Sequence, residues 1–335
     1  MRSFTIGLTL LPGLLLAQDP GLQLTEWTVP WPESRPRDPA VAPDGRVWFV
    51  GQAGNYVAVL DPVKGEFKRY EIDPGTNPHN VIVAKDGMVW YSGNQNGMIG
   101  KLNPADGSIT RYPLPDKTLG DPHTLAFDSK GDIWFTVQAG NAVGKLTTSD
   151  GKFRIVPMPA TASRPYGIAI DSKNRPWFDE FGANRIGTVD PVSFKLTEYT
   201  ISNPSARPRR IVITPDDKIF VGDYARGMLV RLDPVTGKIS EWANPSGANS
   251  GPYAMAGDNT GRVWQVETGP QPNRFVSFDP KSEKFGTPVP IAKSGGLVVR
   301  HMVFDPKSRS IWFGTDANTI GRAEVGPAGA GKPTP

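Results

Sequence analysis

The residues best suited to chemistry in this sequence are its three histidines, His79, His123 and His301. Asp316 follows His301 by 15 positions, shortly after a Trp-Phe pair. A neutral imidazole with a pKa near ~6.5 can take a proton from carbon or water, and a nearby carboxylate can orient it or bind a cation. The spacing therefore suggests His301 as a general base and Asp316 as its partner.

These residues lie within a repeat that covers most of the chain. Seven apolar segments carry an aromatic residue at spacings of 42 to 48 positions. The aromatic positions are Trp48, Trp90, Trp134, Trp177, Phe220, Trp264 and Trp312. Each repeat contains four short strand patterns separated by Asp-Gly, Lys-Gly or Asp-Pro turns, which is typical of a propeller blade. We predict an all-β, seven-bladed β-propeller with four antiparallel strands per blade.

The two ends of the chain predict how the propeller closes. The stretch LQLTEWTVP, residues 22–30, has the pattern of a fourth strand with no blade before it, and the last repeat lacks a fourth strand. Joining the two would complete blade seven and cover its open edge. Residues 18–325 are therefore predicted to form one domain.

The N-terminus and the composition limit where the protein acts and what it binds. Residues 1–17, with one Arg before an apolar run, are typical of a signal peptide and predict a secreted or periplasmic protein without membrane contact after cleavage. The net charge of +4 and the dispersed basic residues argue against a nucleic-acid partner. Without cysteine, stability must come from packing. We expect a monomer with a small-molecule ligand and a disordered tail over residues 326–335.

Blade geometry predicts which polar residues share one rim. The first strand lines the central channel and the second returns beside it, so the start of one lies near the end of the other. The predicted opening residues are Arg37, His79, His123, Tyr166, Arg209, Tyr253 and His301. The second strands of the last four blades end in Glu180, Asp223, Glu267 and Asp316.

This rim suggests a division of roles. Besides His301, the opening residues are candidate ligand contacts, and Glu180, Asp223 and Glu267 are candidate ligands for Mg²⁺ or Ca²⁺, which prefer oxygen. Two alternatives stay open. The acids could instead bind turn amides between blades, and the adjacent Arg209 and Arg210 could pair with those acids or hold an anionic group of the ligand.

Several segments resemble the streptogramin B lyase (virginiamycin B lyase) family. They are RPYGIAIDSKNRPWFDEFGANRIG, SKGDIWFTVQAGNAVGKL and GSITRYPLP, and the resemblance extends over nearly all of the chain after the signal peptide. It implies a propeller that opens the macrocyclic ester of a depsipeptide antibiotic by elimination, assisted by a divalent metal, usually magnesium. His301 and Asp316 match the catalytic His and the acidic residue of the family's last blade, with Asp in place of Glu.

Other positions depart from the family pattern. Tyr253 stands where a second His is expected, and Val299 stands where an acidic residue is expected. Arg37 and His123 replace two expected tyrosines. These changes make efficient degradation of streptogramins unexpected, while a related elimination or hydrolysis stays open.

Three functions follow as hypotheses. The first is a lyase-like propeller that binds a small ester, lactone or sugar-derived ligand at the channel mouth and opens a cyclic ester with a divalent cation. The second is a gluconolactonase-like, metal-dependent hydrolase. The third is a non-catalytic propeller that binds a ligand or a protein.

Overall fold

The computed structural model describes residues 22–326, and within that range the chain forms 29 short strands and two 3-10 turns. The strands make seven antiparallel sheets, one per blade, and each sheet is built from strands that follow one another along the chain, with one exception at the closure. The predicted seven-bladed all-β propeller is confirmed.

Blades one to three follow the strand β1 (Gln23–Thr28) in order. Blade one consists of β2 (Pro36–Val41), β3 (Val47–Gly51), β4 (Tyr56–Asp61) and β5 (Glu66–Glu71). Blade two consists of β6 (Pro78–Val83), β7 (Val89–Gly93), β8 (Met98–Leu102) and β9 (Ile109–Pro113). Blade three follows a 3-10 turn (Lys117–Leu119) and consists of β10 (Pro122–Phe127), β11 (Ile133–Val137), β12 (Ala142–Thr147) and β13 (Lys152–Pro157).

The remaining blades repeat this arrangement with one irregularity. Blade four consists of β14 (Pro165–Ile170), β15 (Pro176–Glu180), β16 (Arg185–Val189) and β17 (Leu196–Thr200). Blade five consists of β18 (Pro208–Ile213), β19 (Ile219–Asp223), β20 (Met228–Leu232) and β21 (Ile239–Ala243), and a 3-10 turn (Gly247–Asn249) follows it. Blade six consists of β22 (Pro252–Gly257), β23 (Val263–Glu267), β24 (Arg274–Asp279) and an outer strand split into β25 (Lys284–Phe285) and β26 (Val289–Pro290).

Blade seven contains β27 (Val299–Asp305), β28 (Ser310–Thr315) and β29 (Thr319–Glu324), and its fourth strand is β1. β1 pairs antiparallel with β29 from Gln23 opposite Glu324 to Thr28 opposite Thr319. The predicted closure by residues from both chain ends is therefore present.

The repeated aromatic residues form the core between blades. All seven are buried, with at most 7% of their surface exposed. In several blades the indole packs on an aromatic residue of the same blade's outer strand, such as Trp48 on Tyr70 at 5.3 Å and Trp177 on Tyr199 at 5.7 Å between ring centroids. In blade seven Trp27 of β1 takes this role and stacks on Trp312 at 5.5 Å. The closing strand thus fills a repeat position from the other end of the chain.

In blades four and six, an aspartate fixes the turn between the first and second strands. The Asp171 carboxylate accepts hydrogen bonds from the amides of Lys173 and Arg175, and its second oxygen accepts one from the indole N–H of Trp177 at 2.9 Å. The carboxylate of Asp258 makes the equivalent contacts in blade six. These side chains stabilise tight turns and satisfy a buried indole together.

Two predictions concern residues at or beyond the ends of this range. The signal peptide of residues 1–17 lies outside the described residues, and so does the tail predicted for 326–335, apart from Gly326. The secreted or periplasmic location therefore stays a prediction. No helix within residues 22–326 is long and apolar enough to cross a membrane.

Removing the closing strand is expected to destabilise the whole propeller. A variant that begins at Trp31 loses the β1–β29 ladder, the stacking of Trp27 on Trp312 and the burial of Val29. At ~1.5–3 kcal/mol per large apolar side chain, the loss is a large part of a typical net stability of about 5–15 kcal/mol. Thermal melting followed by circular dichroism, with a chain that begins at Leu22 as the reference, measures the effect. Equal melting temperatures would rule out closure by β1.

Candidate functional site

A β-bulge interrupts the pairing of the first two strands in every blade. Between Pro122 and Leu125, for example, the first strand has one residue more than the facing segment of the second strand. A bulge lets two successive side chains point toward the channel at this place. In each blade, the first of these two residues belongs to a set that we call the mouth ring. The second belongs to a set that we call the inner ring.

The paired registers define both rings. The mouth ring consists of Arg37, His79, His123, Tyr166, Arg209, Tyr253 and Arg300. The inner ring consists of Asp38, Asn80, Thr124, Gly167, Arg210, Ala254 and His301.

The predicted register of blade seven was wrong by one residue. The other six blades begin their first strand with a proline, but here Val299 occupies that place and pairs with Thr315. Arg300 therefore takes the mouth-ring position, and His301 lies in the inner ring. Asp316 follows the strand end by one residue. Without the proline, the sequence offered only the histidine itself as an anchor for the alignment.

An ion pair at the centre of the channel joins distant blades. The carboxylate of Asp38 is fully buried, with Arg37 Nε at 3.2 Å from one oxygen and Arg210 Nη2 at 3.3 Å from the other. Asn80 Nδ2 donates a hydrogen bond to the same carboxylate at 3.1 Å. Burial alone would raise the pKa of Asp38, but Arg210 and Arg37 hold it well below its usual range. Asp38 is therefore ionised at any physiological pH.

Arg210 extends this network to two more blades. Its Nε donates to the backbone carbonyl of Arg300 at 2.9 Å, and its Nη1 lies 3.2 Å from the hydroxyl of Thr124. One guanidinium from blade five thus contacts blades one, three and seven. Arg210 therefore links four of the seven blades at the level of the inner ring.

The three histidines are close to these charges and are uncharged. The rings of His79 and His123 lie 3.5 Å apart between centroids, and His123 Nδ1 shares a hydrogen bond of 2.9 Å with the hydroxyl of Thr124. Burial, together with nearby arginines, lowers the pKa of both well below the usual value. Burial lowers the pKa of His301 to about 4, despite the neighbouring carboxylate of Asp38. The buried Nδ1 atoms of His301 and His79 have no hydrogen-bond partner.

Arg209 occupies an aromatic surrounding instead of an ion pair. Its guanidinium carbon lies 3.9 Å from the ring centroid of Tyr253, 4.4 Å from that of Tyr224, 4.6 Å from that of Phe181 and 5.5 Å from that of Tyr166. Such contacts stabilise a cation through the ring faces. Within residues 22–326 no carboxylate pairs with this side chain, although Arg210 beside it has one.

Two phenols complete the mouth ring. The hydroxyl groups of Tyr166 and Tyr253 hydrogen-bond to each other. Burial would raise the pKa of Tyr253, but the positive charges of Arg209, Arg37 and Arg210 lower it to about 8. Burial raises the pKa of Tyr166 to about 12. Tyr253 is thus a second group able to exchange a proton near neutral pH.

Two of the acids predicted to bind a metal are held by arginines of their own blades, Asp223 by Arg226 at 2.5 Å and Glu267 by Arg274 at 2.9 Å. Glu180 is 3.8 Å from Arg185, its buried oxygens have no hydrogen-bond partner, and burial raises its pKa to about 7. The carboxylates of Asp223 and Glu267 each also accept a hydrogen bond from a backbone amide. No group of three or more His, Asp or Glu side chains in the described part of the chain could hold a metal ion. These residues do not fit a preassembled Mg²⁺ or Ca²⁺ site.

Asp316 is also bound by an arginine. Arg300 Nε and Nη2 donate to its two oxygens at 3.0 and 2.6 Å, which is a bidentate contact. Arg37 makes the equivalent contact in blade one, to Gln52 Oε1 at 2.8 Å. The structure therefore brings Asp316 to Arg300, and not to His301 as the sequence suggested.

Sequence reasoning missed several of these residues. Asp38 was read only as part of a strand, and Phe181 and Tyr224 were not considered. A signal for Asp38 existed, because it aligns with Asn80 and Thr124, and polar residues are unusual in a strand otherwise composed of apolar side chains. Recognising it required knowledge of the bulge, which turns that second polar residue toward the channel.

A groove of about 890 Å³ lies among the turns of blades two to four, at the end of these blades opposite to the mouth ring. Its charged residues serve those turns. Asp128, for example, accepts two backbone amides and lies 3.2 Å from Lys145 Nζ. Since the neutral imidazoles and the phenol pair lie at the mouth ring, we take that ring as the candidate site.

Known proteins resemble this chain in both sequence and fold. The model of the Virginiamycin B lyase family matches residues 19–232. No curated protein sequence gives a significant match.

Three solved structures resemble the chain over 91% of its length, each with a TM-score of 0.82. Virginiamycin B lyase from Staphylococcus aureus is 26% identical, and 99% of that chain is covered. A catalytically inactive histidine-to-alanine variant of the same enzyme with quinupristin gives the same values. A streptogramin B lyase is 28% identical, with 98% of that chain covered.

Breaking the central ion pair is expected to be costly. Asp38→Asn leaves Arg37 and Arg210 without their shared carboxylate, and removing one partner of a buried pair costs about 3–5 kcal/mol. Because the folded pKa of Asp38 is depressed, its contribution is present above the unfolded value of ~3.9 and is lost as the pH falls below it. Urea denaturation at pH 7 therefore measures the full effect.

Asp44→Asn is the matched control. Asp44 pairs with Arg46 at 2.7 Å, but both side chains are exposed, so this change is expected to cost about 0–1 kcal/mol. Similar losses for the two variants would contradict the central role of Asp38.

Proposed function

This chain belongs to the Virginiamycin B lyase family, and from that premise we propose that it is a carbon–oxygen lyase that opens a small ester or lactone by elimination. The substrate binds at the mouth ring, and the protein acts after export, as residues 1–17 predict. The proposal is supported by the neutral, unpartnered imidazole of His301 beside a ring of phenols and guanidinium groups.

The reaction requires one base and a means to hold the substrate. His301 removes a proton from the carbon next to the one that bears the ester oxygen. The electron pair of that C–H bond forms a carbon–carbon double bond, and the C–O bond breaks with its electrons passing to the departing carboxylate. No water is consumed, which distinguishes this reaction from hydrolysis.

The surrounding residues position the substrate. His79, His123, Tyr166 and Tyr253 offer hydrogen-bond donors and acceptors in the mouth ring. Asp316 acts through Arg300, since its bidentate contact fixes that guanidinium in the mouth ring. This role replaces the direct partnership with His301 that the spacing suggested.

A non-catalytic binding propeller is the alternative that a specific observation favours. Asp223 and Glu267 are each bound by an arginine, which is the arrangement expected of structural residues. In that case ligands would bind at the mouth ring and leave unchanged. The gluconolactonase-like hydrolase gains no comparable support.

The role of His301 is tested by turnover. With a cyclic ester or lactone found by screening for a new carbon–carbon double bond, His301→Ala is expected to reduce kcat/KM by roughly 100-fold to 10,000-fold. Activity of the unaltered protein should fall only below about pH 4, because His301 stays neutral above that value. An acid limb near pH 6.5, or an unchanged rate in His301→Ala, would exclude His301 as the base.

Proton NMR provides an independent check of the same assignment. Only three histidines are present, so His301→Ala identifies the missing imidazole signal directly. That signal is expected to titrate near pH 4 in the unaltered protein. The exposed Arg46→Gln variant should retain both the titration and the turnover.

The divalent cation stays a prediction of the family resemblance, and titration tests it. Because Asp223 and Glu267 are already held by arginines, treatment with EDTA is expected to leave the melting temperature unchanged. Mg²⁺, Ca²⁺ and Mn²⁺ are then added separately at millimolar concentration. A rise in melting temperature that Glu267→Gln abolishes would show that a cation displaces these arginines.

A further inference from the structure

The mouth and inner rings hold more positive than negative charge. Four guanidinium groups lie here, those of Arg37, Arg209, Arg210 and Arg300, and all four act on the phenol of Tyr253. Asp38 binds two of them and Asp316 binds one. Arg209 has no acidic partner among residues 22–326. Buried charge without compensation is unfavourable, so an anion bound here would be stabilised strongly.

Hydrogen-bond donors without partners point to where such an anion would bind. Nε of Arg209 is buried and has no partner, and the same is true of Nη2 of Arg37, a side chain with only about 5% of its surface exposed. The guanidinium of Arg209 lies against the rings of Tyr253 and Tyr166, at 3.9 and 5.5 Å from their centroids. Its unused donor therefore lies beside the phenol pair.

We propose that the mouth ring binds the carboxylate group of an organic acid, with Arg209 donating the hydrogen bonds. This inference rests on the proposed lyase function and names its substrate class. A guanidinium presents a planar pair of donors that matches a carboxylate, and the aromatic faces around Arg209 hold that plane in one orientation.

A bound carboxylate also suits an elimination. The C–H bond next to an ionised carboxylate is a weak acid, because its conjugate base would carry two adjacent negative charges. Arginines that neutralise the carboxylate make that proton easier to remove by His301, and they stabilise the charge that develops before the C–O bond breaks. The substrate would thus be an acid with an ester or ether oxygen one carbon further along the chain.

Adjacent arginines provide a matched pair of variants. Arg209 has no carboxylate partner, whereas Arg210 binds Asp38. Arg209→Gln breaks no ion pair and is expected to change the melting temperature of the ligand-free protein less than Arg210→Gln does. Arg210→Gln weakens the central ion pair and is expected to lower it. Nothing in the sequence distinguishes Arg209 from Arg210. Their contacts in the structure indicate a binding role for Arg209 and a structural role for Arg210.

Binding is measured by calorimetry on the whole protein, with each carboxylate compared with a neutral molecule of similar shape. The pairs are benzoate with benzamide and gluconate with glucitol, and sulfate and phosphate are tested separately. We expect the carboxylates alone to bind. Arg209→Gln should weaken that binding roughly tenfold to a hundredfold, Arg209→Lys should weaken it less, and the exposed Arg46→Gln should not change it.

Three results would overturn the inference: equal binding of the neutral partners, full binding by Arg209→Gln, or binding of sulfate and phosphate in preference to carboxylates. The lyase function can fail separately. Carboxylate binding without any elimination product would contradict only the proposed reaction, and elimination of a neutral ester by a fully active Arg209→Gln variant would contradict only the substrate class.

Discussion

The ion pair between Asp38 and Arg210 is the interaction on which the rest of the site depends. It joins blade one to blade five through the middle of the channel, where water is largely excluded and an unpaired charge would be unfavourable. It also concentrates charge near the other groups of the two rings. Burial, together with the arginines around the pair, keeps three histidines neutral, and the arginines shift Tyr253 toward the phenolate.

Much of the architecture could be predicted from the sequence, because it depends on side chains that recur at a fixed spacing. Buried indoles such as Trp48 and Trp177 identify each blade, and Trp27 lies where the missing outer strand of blade seven needs an aromatic residue. The site was less predictable. Its contacts cross the channel between residues of different blades, such as Arg210 and Asp38, and no spacing along one chain segment records them.

The one-residue error in the predicted register of blade seven also arose because the position of a side chain in the channel is not recorded in the spacing of residues. A β-bulge places two residues of each first strand in the channel, so the type of one residue does not tell which ring it occupies. Val299 in place of proline removed the only marker of the strand start. Relative to the family pattern, Arg37 adds a positive charge and Val299 removes an acidic residue, so the ring is better suited to anions than to cations.

The closure by β1 also sets an order of events during synthesis. Its partner β29 follows every other strand of the propeller in the chain, and ribosomes add about 5–20 residues per second, so β1 has no pairing partner for on the order of tens of seconds. During that time blade seven is incomplete, and so is the channel network that joins Arg210 to Arg300 of β27. The closed ring can therefore form only after β29 has been synthesised.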